Sequence, residues 1–241
     1  NLLVRDRGIR GIVISLKNCF KSITRPVFYK TPDGQERGVV QTGGGVKLSY
    51  LAKFVARYGL AGIEKLVGIP GSVGGSVAMN AGAEGAEISQ VLRSIKFMTL
   101  DGEVKTYSKN ELVFAYRKTT FPSKDGIVIE AELDLEKGET SAIYREMDKY
   151  LSRRGSTQPL TMPNSGSIFK NPDGEKAGRL IELAGLKGCR IGGASVSIKH
   201  ANFIVNKGGA LAEDVIRLIK HIQTVVEEKT SVKLEQEIIV I

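Results

Sequence analysis

Six of the chain's 28 glycines fall within the eighteen residues Gly68–Gly85, GIPGSVGGSVAMNAGAEG. Glycine lets a backbone adopt positive φ and approach a ligand with no Cβ in the way, so Gly71, Gly74 and Gly75 are candidates for a turn that wraps a ligand. Successive N–H groups in such a turn form a concavity suited to a diphosphate, and Asn80 is placed to add a side-chain amide. No GK[ST] follows, so this is not a Walker A loop, and the spacing is not the dinucleotide GxGxxG. Ser72 misses the nucleophile elbow by its first glycine. A tight loop packed against a helix is the competing reading.

A second polar cluster is Asn164-Ser165-Gly166-Ser167-Ile168-Phe169-Lys170-Asn171-Pro172, which puts hydroxyls, an amide and an ammonium beside an apolar pair. Tyr116-Arg117 offers a planar guanidinium fork suited to a carboxylate, and Glu237 offers a carboxylate close to a final apolar run. His200 completes the set. Taken singly, each of these is as well read as a turn, a strand residue or a packed histidine.

The elements that position these residues follow from periodicity. Leu51, Phe54, Val55 and Tyr58 mark a helix ended by Gly59, and Ile63–Leu66 a short second one. Residues 94–107 read as a hairpin about Asp101-Gly102, and Gly126–Leu135 alternates as a strand. The run Gly11–Leu16 also reads as a strand. Ile143, Met147, Tyr150 and Leu151 give a helix ending at Arg153-Arg154. Further helices are expected around Ala177–Leu183, closed near Gly185, and from Ala212 to Glu228, with a last strand over Glu237–Ile241. The class is α+β in two parts, 1–137 and 138–241.

Composition narrows the function. There are 35 Lys+Arg against 26 Asp+Glu, a formal net charge of +9, with 41% hydrophobic residues; this is a globular composition. No window reaches the ~18 apolar residues of a membrane span, and NLLVRDRG carries no apolar signal core, which points to a cytosolic protein. Cys19 and Cys189 form no CxxC pair, so neither a disulfide framework nor a metal site is expected. The excess charge favours an anionic partner. A nucleic-acid binder is disfavoured, because the basic residues are dispersed, tryptophan is absent and aromatics are 6%.

Together, GIPGSVGGSVAMNAGAEG, FAYRKTTF, PNSGSIFKNP, HANFIVN and LEQEI, in that order along the whole chain, resemble the UDP-N-acetylenolpyruvoylglucosamine reductase family. The resemblance implies an FAD-binding domain of the vanillyl-alcohol-oxidase type followed by an α+β substrate-binding domain. It implies FAD and NADPH as cofactors, and reduction of the enolpyruvyl ether of UDP-N-acetylglucosamine to UDP-N-acetylmuramate by a monomeric cytoplasmic bacterial enzyme. By the same resemblance Ser167 is the proton donor, and Arg117 and Glu237 are the other two active-site residues. Flavin contacts fall on Ile69, Pro70, Gly71, Ser72, Gly74, Gly75, Asn80, Ala81, Gly82 and Val128. Asn1, Leu2 and Leu3 match the end of a second flavin loop, Gly-x-Gly-Ser-Asn-Leu-Leu, whose upstream subdomain precedes Asn1 in the family. Tyr116, Arg154, Gln158, Lys170 and Asn171 match substrate-contacting positions. Gln236 stands where the family usually has proline. The 49 residues between Arg117 and Ser167 match the shorter subtype, without the tyrosine loop. An oxidase on the same flavin fold is the alternative enzyme reading, but it has no need of the Arg117, Ser167 and Glu237 set.

Overall fold

The computed structural model describes residues 1–123 and 125–241. Its first strand, β1 (Leu2–Leu3), pairs in parallel with the last, β16 (Ile239–Val240). Between them the chain divides into two compact units: Ile14–Arg153, and Asn1–Val13 together with Arg154–Ile241. This division differs from the sequence expectation twice. The first thirteen residues group with the C-terminal unit, because β1 has its ladder partner there. The later boundary lies inside a helix rather than at residue 137.

The Ile14–Arg153 unit is built on an antiparallel sheet. Strands β2 (Val27–Lys30), β3 (Glu36–Gly43), β7 (Leu92–Thr99), β8 (Val104–Ser108) and β11 (Gly126–Lys137) lie in the order β2-β3-β11-β7-β8, and β4 (Leu60–Ala61) pairs with the end of β11. Alternation sorts the two faces. Val40, Leu92, Ile95, Phe97, Ala131, Leu133 and Leu135 point into the core. On the other face, Arg37 meets Asp134 at 2.8 Å, Arg93 meets Glu132 at 3.2 Å and Lys96 meets Glu130 at 2.9 Å.

The core face is covered by α1 (Leu48–Ala56), whose Leu48, Leu51, Ala52, Val55 and Ala56 are buried as the period predicts. Gly59 closes it at φ +64°, with its N–H on the Ala56 carbonyl. A short 3₁₀ turn at Glu64–Leu66 replaces the expected second helix. Then come α2 (Val73–Ala78) and two short hairpins: β5 (Gly82–Ala83) with β6 (Ala86–Glu87), and β9 (Val113–Ala115) with β10 (Lys118–Thr120). Helix α3 (Thr140–Thr157) continues one turn beyond Arg153-Arg154, because nothing there breaks a helix until Pro159.

The expectation that fails is the Gly11–Leu16 strand. Ile12, Val13 and Ile14 are 91%, 69% and 81% exposed and lie outside any strand. An apolar alternating run becomes a strand only where a ladder partner receives its N–H and C=O groups, and none of the described residues does so here.

In the other unit, β12 (Asn164–Ser167), β13 (Arg190–Ile191), β14 (Ala194–Val196) and β15 (Phe203–Asn206) form a sheet in the order β12-β15-β14-β13. Helices α4 (Ala177–Leu183) and α5 (Ala212–Thr230) belong to the same core. It contains Phe169, Ile181, Ala194, Val196, Leu218, Ile222 and Val226. Each large side chain buried there contributes about 1.5–3 kcal/mol. Gly185, at φ +78°, closes α4 as expected.

Candidate functional site

The glycine-rich turn is docked on the loop that follows β3. Leu48 N–H bonds to the Gly71 carbonyl (3.1 Å), Val73 N–H to the Val46 carbonyl (2.8 Å) and Gly74 N–H to the Gly44 carbonyl (2.8 Å). This contact is why the glycines are needed, and they divide by role. A Cβ on Gly74 would lie 2.7 Å from the Val128 carbonyl oxygen, and one on Gly44 would collide with that same oxygen. Val128 is thus the wall against which both loops close. Gly71 instead adopts φ +131° and faces open space, and Gly75 meets only Ser72 Oγ at 3.5 Å.

Beside Pro70-Gly71-Ser72 lies a cavity of about 840 Å³, lined also by Leu16, Lys47 and Tyr50. Its size suits a large cofactor, and Lys17, Lys21 and Lys47 give it cationic walls. The N–H groups of Gly71 and Ser72 have no acceptor among the described residues. The residues present therefore fit a dinucleotide with a diphosphate. Ser72 itself accepts the Gly75 N–H (3.3 Å) and caps α2, which agrees with the poor case for it as a nucleophile.

Asn80 behaves differently from the amide donor expected from the sequence. It is 1% exposed, gives its side-chain N–H groups to Glu87 Oε2 (2.8 Å) and the Ala115 carbonyl (3.2 Å), and accepts the Ser89 N–H at 3.4 Å. Its donors are spent inside the protein. What they hold is β9, and Thr119 on β10 donates in turn to the Val77 carbonyl of α2 (2.5 Å). Both strands of the β9–β10 hairpin are thus fastened to the glycine-rich segment.

That hairpin carries Tyr116-Arg117 at its turn. Arg117 sits at φ +57°, a left-handed conformation that costs a residue with a Cβ about 1 kcal/mol or more. Its guanidinium stands 4.8 Å from the centre of the Tyr116 ring. Such a conformation persists only where the surrounding structure enforces it.

In the second unit, Ser167 ends β12 beside a ladder irregularity. Gly166 turns at φ +82° with its N–H on Asn164 Oδ1 (2.9 Å). Glu237 N–H donates to the Ile168 carbonyl at 2.7 Å, and Lys170 N–H to the Glu235 carbonyl at 2.9 Å. The segment after Ser167 and the segment carrying Glu237 therefore run antiparallel, side by side, and both residues are half-buried. The Asn1–Leu3 stretch joins them: Ser165 Oγ donates to the Leu2 carbonyl (3.4 Å), and Ile239 N–H donates to the Asn1 carbonyl (2.8 Å).

The substrate candidates are mixed. Lys170 pairs with Glu235, and Asn171 Oδ1 accepts the Ala177 N–H at the start of α4 (3.1 Å). Burial pushes the half-buried Arg154 guanidinium below its ordinary value. Gln158 Oε1 is buried with no donor among the described residues. His200 is a packed histidine: its Nδ1 accepts the Asn202 N–H (3.3 Å) and its ring lies edge-on to Phe203. Burial, and then the nearby Lys187 charge, lower its pKa.

Asn202 was not singled out from the sequence. Its amide clamps Phe169 on both sides, accepting its N–H (2.9 Å) and donating to its carbonyl (2.8 Å). It lies in HANFIVN, so the motif pointed to it but its partner did not show. Among the described residues no group of acidic, His or Cys side chains could hold a metal, and no helix is long and apolar enough to cross a membrane.

Residues 1–108 match the FAD binding domain model, and residues 158–241 match the C-terminal domain of UDP-N-acetylenolpyruvoylglucosamine reductase. The reductase of Bacillus licheniformis is 45% identical over 242 residues, covering 100% of this chain and 77% of the relative. That of Listeria innocua is 44% identical over 241 residues, with the same coverage. The crystal structure of the Thermus caldophilus enzyme superposes with a TM-score of 0.74 at 41% identity, covering 83% of this chain and 71% of that one. The fold is α+β, an FAD-binding domain followed by the reductase C-terminal domain, and the chain belongs to the UDP-N-acetylenolpyruvoylglucosamine reductase family of FAD-dependent oxidoreductases.

Proposed function

We propose that the protein reduces the enolpyruvyl ether of UDP-N-acetylglucosamine to the lactyl ether, forming UDP-N-acetylmuramate at the expense of NADPH in the bacterial cytoplasm. FAD, when bound, supplies the hydride to the terminal alkene carbon. Holding it falls to Asn1–Leu3, Ile69–Gly75, the backbone of Asn80–Gly82, and Val128. Hydride addition leaves an electron pair that delocalises into the adjacent substrate carboxylate. Arg117, with its fork geometry, and a protonated Glu237 stabilise that charge where it develops, which is the largest usual contribution to such a step. Ser167 Oγ then gives its proton to the carbon bearing the ether oxygen. A serine hydroxyl is a weak acid, but the carbanion-like acceptor is a strong base. Tyr116, Arg154, Gln158, Lys170 and Asn171 hold the nucleotide sugar.

The observation that carries this reading is the bond from Glu237 N–H to the Ile168 carbonyl, 2.7 Å. It sets the acidic residue beside the chain segment of the proposed donor, although 69 positions separate them in sequence. The test uses the full-length protein in two half-reactions. Ser167→Ala is expected to keep flavin reduction by NADPH and to lose nearly all reoxidation by the enolpyruvyl substrate. Normal reoxidation in that variant overturns the proton-donor role. Failure of the unmutated protein to turn the substrate over overturns the function.

A further inference from the structure

We propose that Asp6 is a positioning residue for this site: by capping helix α5 it fixes the register of the β1–β16 pair and so the placement of Ser167 and Glu237. The inference rests on the proposed reductase reaction and adds a residue to which that reaction has assigned nothing.

Asp6 follows the Asn1–Leu3 flavin-loop stretch by three residues. Its Oδ1 accepts the Ala212 N–H at 2.6 Å and its Oδ2 accepts the Glu213 N–H at 3.0 Å. These are the first two N–H groups of a 19-residue helix, which lack intrahelical partners, and a carboxylate there is favoured by both charge and hydrogen bonding. Asp214 takes the neighbouring Leu211 and Gly193 N–H groups, both at 3.1 Å. Asp6 therefore takes the first two helix N–H groups from a distant part of the chain.

The pairing that Asp6 supports is short. The β1–β16 ladder is two residues long, Leu2 with Ile239 and Leu3 with Val240, and it is carried on by Ile241 N–H to the Leu3 carbonyl (3.0 Å) and Arg5 N–H to the Ile241 carbonyl (2.8 Å), which end one residue before Asp6. A pair of this length depends on outside support for its register. Yet both sides of the site depend on it. Glu237 is two residues before Ile239, whose N–H bonds to the Asn1 carbonyl. On the other side, Ser165 Oγ reaches the Leu2 carbonyl, and a Cβ on Gly166 would lie 3.3 Å from Asn1 Oδ1. A slip of β1 would move the supports of Ser167 and Glu237 together.

Asp6 and Glu213 are exposed but Ala212 is buried, so water can replace the carboxylate at the Glu213 N–H and less readily at the Ala212 N–H. Its loss should therefore lower stability as well as disturb alignment. Misplacement of reacting groups by about an ångström can cost up to about a hundredfold in rate.

The test compares Asp6→Ala and Asp6→Asn with the unmutated full-length protein. In Asp6→Ala, reoxidation of reduced flavin by the enolpyruvyl substrate should slow by about tenfold or more, with reduction by NADPH unchanged. Without flavin, the Ile239 and Ile241 amides should exchange with solvent about tenfold faster. Asp6→Asn, which keeps one acceptor oxygen, should fall between. Equal slowing of both half-reactions, or unchanged amide exchange, overturns the positioning role. If the unmutated protein does not reoxidise with this substrate, the functional reading fails, and the exchange data still decide whether Asp6 sets the register.

Discussion

Asn80 donates its side-chain amide to the Ala115 carbonyl at 3.2 Å, and so joins the glycine-rich segment to the hairpin that presents Arg117. Asn80→Ala leaves Glu87 and the Ala115 carbonyl without this donor. Freed buried polar groups cost about 1–3 kcal/mol. The expected result is a lowered melting temperature and a fall in kcat larger than any change in flavin affinity. A variant with normal kcat would show that the hairpin holds Arg117 without Asn80.

Arg117 is held at φ +57°, a conformation that glycine adopts freely. Arg117→Gly should relieve that strain, offsetting the side-chain contacts it loses, and leave stability within about 1 kcal/mol of the unmutated protein. Substrate reduction should be almost abolished. Measuring unfolding and turnover on the same preparation checks both halves; retained turnover would remove Arg117 from the mechanism.

Gly44 and Gly75 should respond in opposite ways. Gly44→Ala drives a Cβ into the Val128 carbonyl, and overpacking of this kind costs about 1–3 kcal/mol. Gly75→Ala meets only Ser72 Oγ at 3.5 Å and gains up to about 1 kcal/mol of helix propensity in α2. The flavin-free Gly75→Ala protein should thus melt no lower than the unmutated one, while binding FAD more weakly. Undiminished FAD affinity would take Gly75 out of the flavin-contacting set.

His200 makes stability depend on pH. Its folded pKa lies below the ordinary 6.5, from burial first and from Lys187 second. As pH falls through 6.5 the unfolded chain takes up the proton before the folded one does. Stability present above 6.5 is therefore lost between 6.5 and the lower folded value. Denaturant titrations at pH 7.5 and 5.5 should show a smaller loss in His200→Gln than in the unmutated protein; equal losses would place the acid sensitivity elsewhere.

The helices were legible because their signal is local. The period of Leu51, Phe54, Val55 and Tyr58 names the face that α1 buries, and Asp101-Gly102 names the β7–β8 turn. The Gly11–Leu16 run misled because alternation records what a strand would bury, not whether a partner strand is there. Asn80 was assigned outward on its motif alone, since the inward acceptors at Glu87 and Ala115 become visible only when β9 is placed. The grouping of Asn1–Val13 with the C-terminal unit rests on bonds between residues more than 200 apart, and no window along the sequence contains both partners.

The pairing of β1 with β16 also has a consequence for the order of assembly. The Ile14–Arg153 unit is an insertion within the other one, and all its residues lie together in sequence, so it can fold while the ribosome is still at work. Strand β1 emerges before that unit but must wait, unpaired, for Ile239 and Val240. Joining ends so far apart carries a loop-closure cost that a prefolded insert reduces. The unit bearing Ser167 and Glu237 is then completed after the insert, and its β1–β16 pair can close only once Ile239 and Val240 have been made.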